Sequence, residues 1–430
     1  QYDKLIIATG SKPNKFGWPG QDLDGVMGMY HKQDLENLEK HAPNNKVCKR
    51  AVIVGGGLIG IELAEMLHSR HIPVTFLVRE PSFWNGVLPE GESEMINREI
   101  ISNGIDLRLG VNLKVIKADE NGKVKSIIIA ETDEEIECNV VGLTAGVSPN
   151  IDFIKESGIE IGRGVKVNRF LETNIPDIYA IGDCAEQHEA IDQRRPIEAV
   201  WYTGRMMGET VAQTICDNRM EYKPGHWFNS AKFFDIEYQT YGWVWAQPKA
   251  NEARFYWEHA DGKKCIHINY DKNTGEFIGI NNFGIRMRHA FFNTILTEKR
   301  SVYYVLEHLA DANFDPEFYK QYETALVKQY NEQTDSNLRL ENKRNATAAL
   351  SFIGVRPKRF DSNQEAQPLA WHQTKTGKLT ALSMFLIFAV FILAYYYMRL
   401  TGVLYALPVI GGLVYLLMKQ INNHQGKAIE

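Results

Sequence analysis

Little in this sequence speaks for metal or thiol chemistry. Five cysteines, Cys48, Cys138, Cys184, Cys216 and Cys265, are scattered over 430 residues without a C-x-x-C pair. Neither a zinc site nor a local redox disulfide is written here, and a reducing compartment is the simplest reading. The histidines are equally dispersed and none shows ligand spacing, so no metal is expected. Positive charge is not in excess either: 48 Lys and Arg against 53 Asp and Glu leave a net charge of -5, which argues against a nucleic-acid partner. With 44% hydrophobic and 23% charged residues, the chain can build two or three domains with proper cores.

What is present is a glycine turn in the right context. Ala51 to Val54 reads as a short buried strand, Gly55-Gly56-Gly57-Leu58-Ile59-Gly60 follows, and Leu58 to Ser69 reads as a helix. In such a unit Gly55 permits the tight turn, Gly57 lets the backbone approach a pyrophosphate, and Gly60 lets the helix pack on its strand. The helix N-terminus then receives negative charge. Val74 to Val78 supplies a second buried strand, and Glu80 lies where an acid would meet a ribose hydroxyl. Arg79 beside it would equally suit a 2′-phosphate, so the ligand is NAD(P)H, with NADH the first choice.

Two apolar stretches near the end point to a membrane. Leu379 to Met398 and Gly402 to Met418 carry no charge and are joined by only Arg399-Leu400-Thr401, as in a transmembrane helical hairpin. Lys375, Lys378, Lys419 and Lys427 flank the pair and outnumber Arg399 in the turn. The positive-inside rule then puts the body on the cytoplasmic side of a cell membrane.

Along the chain the expected class is α/β, with two interleaved Rossmann-like domains, the first incomplete. Residues 1–32 and 146–223 would form a partial flavin-type domain and residues 33–145 the NAD(P)-binding domain. Residues 224–333 carry aromatic, alternating runs such as Phe228 to Tyr241 and Cys265 to Tyr270, read as antiparallel strands of a small α+β interface domain, with a polar helical segment from Ser301. A polar linker (334–377), the hairpin (378–420) and a tail (421–430) complete the chain.

Four ordered motifs make the reading specific. They are Tyr2 to Pro13 with Ala8-Thr9-Gly10, the Gly55 to Gly60 run continuing to Glu65, Gly146-Val147-Ser148-Pro149-Asn150, and Ile178-Tyr179-Ala180-Ile181-Gly182-Asp183. This succession resembles the pyridine nucleotide-disulfide oxidoreductase superfamily, in particular its NADH oxidase and ferredoxin or rubredoxin reductase branches. The resemblance implies FAD and NAD(P)H as cofactors. It places Ala8, Thr9, Gly10, Gly182 and Asp183 at the FAD, Asp183 as an acceptor for ribityl hydroxyls with a helix N-terminus just after it. A plain helix cap is the alternative role for Asp183. Gly146 would let the backbone pass near the nicotinamide, Val200 would lie close to the flavin, and Glu62 would reach the two rings as the catalytic candidate or serve only as a helix-surface residue.

Members of that superfamily open with their own glycine-rich unit for FAD, upstream of the Ala-Thr-Gly stretch. This sequence begins at Gln1, and a longer parent protein is therefore expected. The function implied is a membrane-anchored NAD(P)H:acceptor oxidoreductase passing electrons to an iron-sulfur protein, a membrane redox partner or a quinone. The alternatives are a tethered NADH oxidase or peroxidase with its redox cysteine upstream, and a non-catalytic NAD-binding subunit. The aromatic strands from Phe228 to Tyr270 would suit a homodimer face in each, with ordinary sheet core the preferred role for most of those aromatics.

Overall fold

The structure, a computed structural model, describes residues 2–315 and 320–341. The chain opens with strands β1 (Leu5–Ile7), β2 (Ser11–Pro13) and β3 (Val26–Met27) and helix α1 (Lys32–His41). There follow β4 (Ala51–Val54), α2 (Leu58–His68), β5 (Val74–Val78), α3 (Glu90–Ser102) and β6 (Asp106–Leu109). Next come β7 (Leu113–Ala118), β8 (Val124–Ile129), β9 (Glu135–Glu137), β10 (Val140–Leu143) and β11 (Val147–Pro149). Strands β12 (Val165–Val167), β13 (Ile178–Ala180) and β14 (Ala185–Gln187) lead to α4 (Trp201–Ile215).

Strands β3, β10, β4, β5 and β6, in that spatial order, form a parallel sheet. Its central strands are apolar but for Thr75 and buried end to end, the pattern of a sheet covered on both faces. Helix α2 covers one face through Ile61, Leu63, Ala64 and Leu67. The antiparallel meander β7-β8-β9 covers the other, where Ile116, Ile127 and Leu113 meet Val52, Leu77 and Val141. Because Val26 pairs with Val141, this unit takes in β3 and begins earlier than the expected residue 33.

Strand β1 pairs in parallel with β13, and Ile7, Ile154, Val165, Ala180, Met207 and Val211 share one core. The crossing between the two units is made where β2 pairs antiparallel with β11.

The third body is a five-stranded antiparallel sheet of β15 (Phe228–Phe233), β16 (Ile236–Gly242), β17 (Glu252–Glu258), β18 (Cys265–Asp271) and β19 (Phe277–Phe283). Helices α5 (His289–Thr297), α6 (Val302–Glu307), α7 (Leu309–Ala312) and α8 (Glu323–Thr334) pack on it. The segment read as polar from Ser301 onward buries Val302, Val305, Leu306, Leu309, Leu326, Val327 and Tyr330. Its apolar residues lie on one stripe per helix, which the high overall polarity concealed. The body also runs past residue 333: Asn331 accepts from the Leu338 N–H at 2.9 Å, and Leu338 and Leu340 pack on the core. The aromatics considered for a dimer face are used within the chain, with Phe233, Tyr238, Phe255 and Trp257 all buried.

This sheet is bolted to the nucleotide unit. Phe233 and Phe283 join the core beneath α2 and α3, and the fully buried Glu92 of α3 accepts from Asn281 at 2.9 and 3.1 Å with His267 3.2 Å away. Among the described residues no helix is long and apolar enough to cross a membrane. The expected hairpin, most of the linker and the tail lie outside the described residues.

Candidate functional site

The glycine turn behaves as three distinct devices. Gly55 has φ +123, and a Cβ there would stand 2.7 Å from the Thr144 carbonyl, so the turn is tight against β10. A Cβ on Gly60 would stand 2.4 Å from the Gly55 oxygen and 2.8 Å from Phe76, which fixes the close packing of α2 on its sheet. Gly56 is pressed on Val78 in the same way. Gly57 alone faces open space, with nothing within 4 Å of its hypothetical Cβ. It is the N-cap of α2, whose first turn holds no acidic residue and no side-chain cap. The first-turn N–H groups, including those of Leu58 and Ile59, are therefore left for a bound anion.

A cleft of about 500 Å³ opens at this point, lined by Gly55, Gly56, Gly57, Arg79, Glu80, Trp84, Asn112 and Gly146 among others. The Arg79 guanidinium donates to one Glu80 oxygen through Nε (3.0 Å) and Nη2 (2.8 Å), so acid and base at the ribose position are tied together. Gly146 has φ +82, and its carbonyl accepts from the Asn14 N–H at 3.1 Å, holding the crossing strand at the cleft edge. Bare glycine, an unsatisfied helix end and an acid–base pair in one cleft fit a dinucleotide.

Sequence reading missed Trp84. Its N–H donates to the Gly56 carbonyl at 3.1 Å in a left-handed turn (φ +51), clamping the segment after Glu80 over the glycine turn. The Ser82-Phe83-Trp84-Asn85-Gly86 spelling, aromatic and ending in glycine after a strand, was the available signal. Phe16 and Trp18, also at the cleft, carried none.

On the flavin-type side, Thr9 Oγ1 donates to the Asn150 carbonyl at 2.8 Å and the Asn150 N–H to the Gly10 carbonyl at 2.9 Å, so Ala8-Thr9-Gly10 and the Gly146-to-Asn150 motif are brought together. Gly182 has φ +71 with open space at its Cβ, and the Asp183 carboxylate accepts from the Tyr30 hydroxyl. Burial and that carboxylate push the Tyr30 hydroxyl up to about 12. No helix follows Asp183: it sits in a single turn of 3-10 helix before β14, so it is neither a cap nor directly ahead of a helix N-terminus. The helix that comes back to it is α4, whose Gly204 lies against Gly182 (3.6 Å from a Cβ to its Cα) and whose N-cap is Val200. An open glycine, a fixed carboxylate acceptor and a returning helix suit the ribityl side of FAD.

Leu58 and Val200 line a second cleft of about 330 Å³, which shares Trp84 and Gly86 with the first. Its loop is held by a buried pair, Arg194 Nη1 to Glu198 Oε2 at 2.8 Å. Glu62 lies elsewhere, exposed on α2 and among the lining of neither cleft; desolvation and then Glu65 raise its carboxyl above the ordinary range. Cys48 and Cys138 are buried thiols, pushed up to about 11 and about 12 by burial, which is the environment of inert cysteines.

Residues 1–208 match the family model for pyridine nucleotide-disulphide oxidoreductases, a family that uses FAD and NAD(P)H. More particularly, the chain is 30% identical over 223 residues to an NADH oxidase of Enterococcus faecalis, covering 52% of this chain and 49% of that protein. It is 32% identical over 189 residues to a rubredoxin-NAD(+) reductase of Acinetobacter baylyi, covering 43% and 47% respectively. The chain thus spans about half the length of the curated relatives it matches. A NAD-dependent persulfide reductase from A. fulgidus shares the fold, with a TM-score of 0.66 at 19% identity over 80% of this chain and 69% of that one.

Proposed function

We propose that the chain supplies the NAD(P)H-binding site and residues of the flavin site of a membrane-anchored, FAD-dependent NAD(P)H:acceptor oxidoreductase. The carrying observation is the pair of clefts joined at Trp84 and Gly86, one holding the glycine turn and the other holding Leu58 and Val200. Leu58 and Val200 in the adjoining cleft would be the residues available to the far end of a dinucleotide held by the turn.

Bound FAD would supply the hydride acceptor and electron store. The residues of the chain bind, orient and exclude water. Gly57 admits the pyrophosphate to the N-terminus of α2, Glu80 or Arg79 holds the adenosine ribose, and Trp84 closes over the turn. Asp183 would accept from ribityl hydroxyls. Glu62 stands outside the lining of both clefts.

Anchoring and a cytoplasmic orientation are supported by the uncharged 379–398 and 402–418 stretches and their flanking lysines. A small redox protein as acceptor is supported by the relative named rubredoxin-NAD(+) reductase, and a lipid-soluble acceptor by the apolar C-terminal stretches. The test is NADH oxidation with ferricyanide in carbonate-washed membranes from cells making the chain. Activity that stays with the washed membranes is expected. Activity released by carbonate contradicts the anchor, and NADH binding without any oxidation favours the non-catalytic subunit.

A further inference from the structure

We propose that Glu92 is a positioning residue for the nucleotide, acting from the seam between α3 and the antiparallel sheet through Asn281 and Tyr238 on Trp84; the inference rests on the nucleotide reading of the first cleft. Glu92 lies in the first turn of α3 and is fully buried. Taking a carboxylate out of water is costly, so one held there is expected to do what an exposed one cannot. Serving the helix N-terminus is not that task, because Glu90 does so from an exposed position in the same turn. The Glu92 carboxylate instead accepts from Asn281 Nδ2 with both oxygens, at 2.9 and 3.1 Å. These charge-assisted bonds fix which end of the Asn281 amide faces α3. The other end, Oδ1, accepts from the Tyr238 hydroxyl at 3.4 Å. Burial first, and the Glu92 charge second, raise that hydroxyl well above its ordinary range, so the phenol keeps its proton and donates. His267 comes within 3.2 Å of the carboxylate through Nδ1 but makes no hydrogen bond with either ring nitrogen, which leaves Asn281 as the residue Glu92 orients.

The Tyr238 ring carries the link onward. Its centroid lies 6.3 Å from that of Trp84 at 79°, and Phe233 supports Trp84 from 6.1 Å on the same core. An edge-on contact depends on how each ring is turned, and the Asn281 bond sets the turn of Tyr238. Trp84 in its turn holds the Gly56 carbonyl through its N–H at 3.1 Å, in a left-handed conformation that a bulky residue keeps only under support from outside. The chain itself makes a second link, since the Leu88 N–H donates to the Trp84 carbonyl at 2.9 Å and Pro89 then caps α3. Glu92 therefore steadies Trp84 both through the sheet and through its own helix. Attachment of α3 to the sheet is a separate matter, served also by the pairs of Arg98 with Glu258 and Lys263 with Glu99. With Glu92 altered, Trp84 would sample arrangements that no longer hold the glycine turn, and bound NADH would bear the cost of ordering it.

The experiment is a calorimetric NADH titration of the full detergent-solubilised chain as wild type, Glu92→Gln and Tyr238→Phe, each with and without Trp84→Ala. Glu92→Gln replaces one acceptor oxygen by an N–H group, and Tyr238→Phe removes only a hydroxyl, so the second decides the matter should the first fail to fold. Each is expected to weaken NADH about three- to tenfold, and to add nothing where Trp84 is already alanine. A lower melting temperature with NADH affinity equal to the wild type in both variants would leave Glu92 a purely structural residue and overturn the proposal alone. Losses of the same size with and without Trp84 would overturn it too, because the effect would then bypass the clamp. A wild type that binds no NADH would overturn the nucleotide reading itself, and this proposal with it.

Discussion

Gly57→Ala separates binding from folding in a way the neighbouring glycines cannot. The added methyl meets nothing within 4 Å, and the N-cap φ of -125 is open to alanine. Stability should stay within about 0.5 kcal/mol of the wild type, as for substitutions in open positions. The same methyl stands where the pyrophosphate must approach, and displacing it forfeits at least one charge-assisted hydrogen bond of about 1.5–3 kcal/mol. Affinity for NADH should therefore fall by about 10- to 100-fold. Gly60→Ala is the counterpart: its methyl would stand 2.4 Å from the Gly55 oxygen, a backbone atom that cannot step aside. Overpacking of this kind costs about 1–3 kcal/mol. Urea unfolding and calorimetric NADH titration of both variants are the assays. A Gly57→Ala protein that binds NADH like the wild type would refute the assignment of this turn to the pyrophosphate.

Three further outcomes are expected. Glu80→Gln should free Arg79 and raise the NADPH-to-NADH ratio of kcat/KM by about tenfold, and Arg79→Ala should lower it; ratios unchanged in both would remove the pair from cofactor choice. Phe233→Ala, which empties a fully buried site packed on Phe83 and Phe283, should cost about 3–5 kcal/mol in urea unfolding, whereas Lys232→Ala, losing only the exposed pair with Glu65, should cost about 1 kcal/mol or less. Glu62 has a folded pKa above its unfolded one, so its contribution to stability is full below the unfolded value and is lost as pH rises through the folded value. Glu62→Gln should accordingly melt slightly higher than the wild type at pH 8 and equally at pH 4; a difference that ignores pH would place the cause elsewhere.

The nucleotide unit was legible because each of its residues does a local job that spelling reveals. A buried strand, Gly55, Gly57 and Gly60 at fixed offsets, and an acid after the next strand state their geometry directly. Asp183 was less legible, since the helix that approaches it is α4, beginning at Trp201 and reaching Gly182 only by a tertiary return. Trp84 was missed for a similar reason: its role depends on one backbone hydrogen bond to Gly56, which no periodicity announces. The helices after Ser301 read as polar because only a stripe of each is buried. Trp227, Trp243 and Trp245 stack nearly parallel although they come from a loop, a strand end and the segment beyond it, an alignment that exists only once the antiparallel sheet has folded.

The Gly55 to Gly60 turn would hold the dinucleotide that supplies hydride, and Gly182 and Asp183 would hold the flavin that accepts it. The most direct test is the visible absorbance of the purified, detergent-solubilised protein before and after anaerobic NADH. A flavin band that bleaches in the wild type, and that needs far more NADH to bleach in Gly57→Ala, is the predicted result. A flavin band that persists while NADH is demonstrably bound would contradict it.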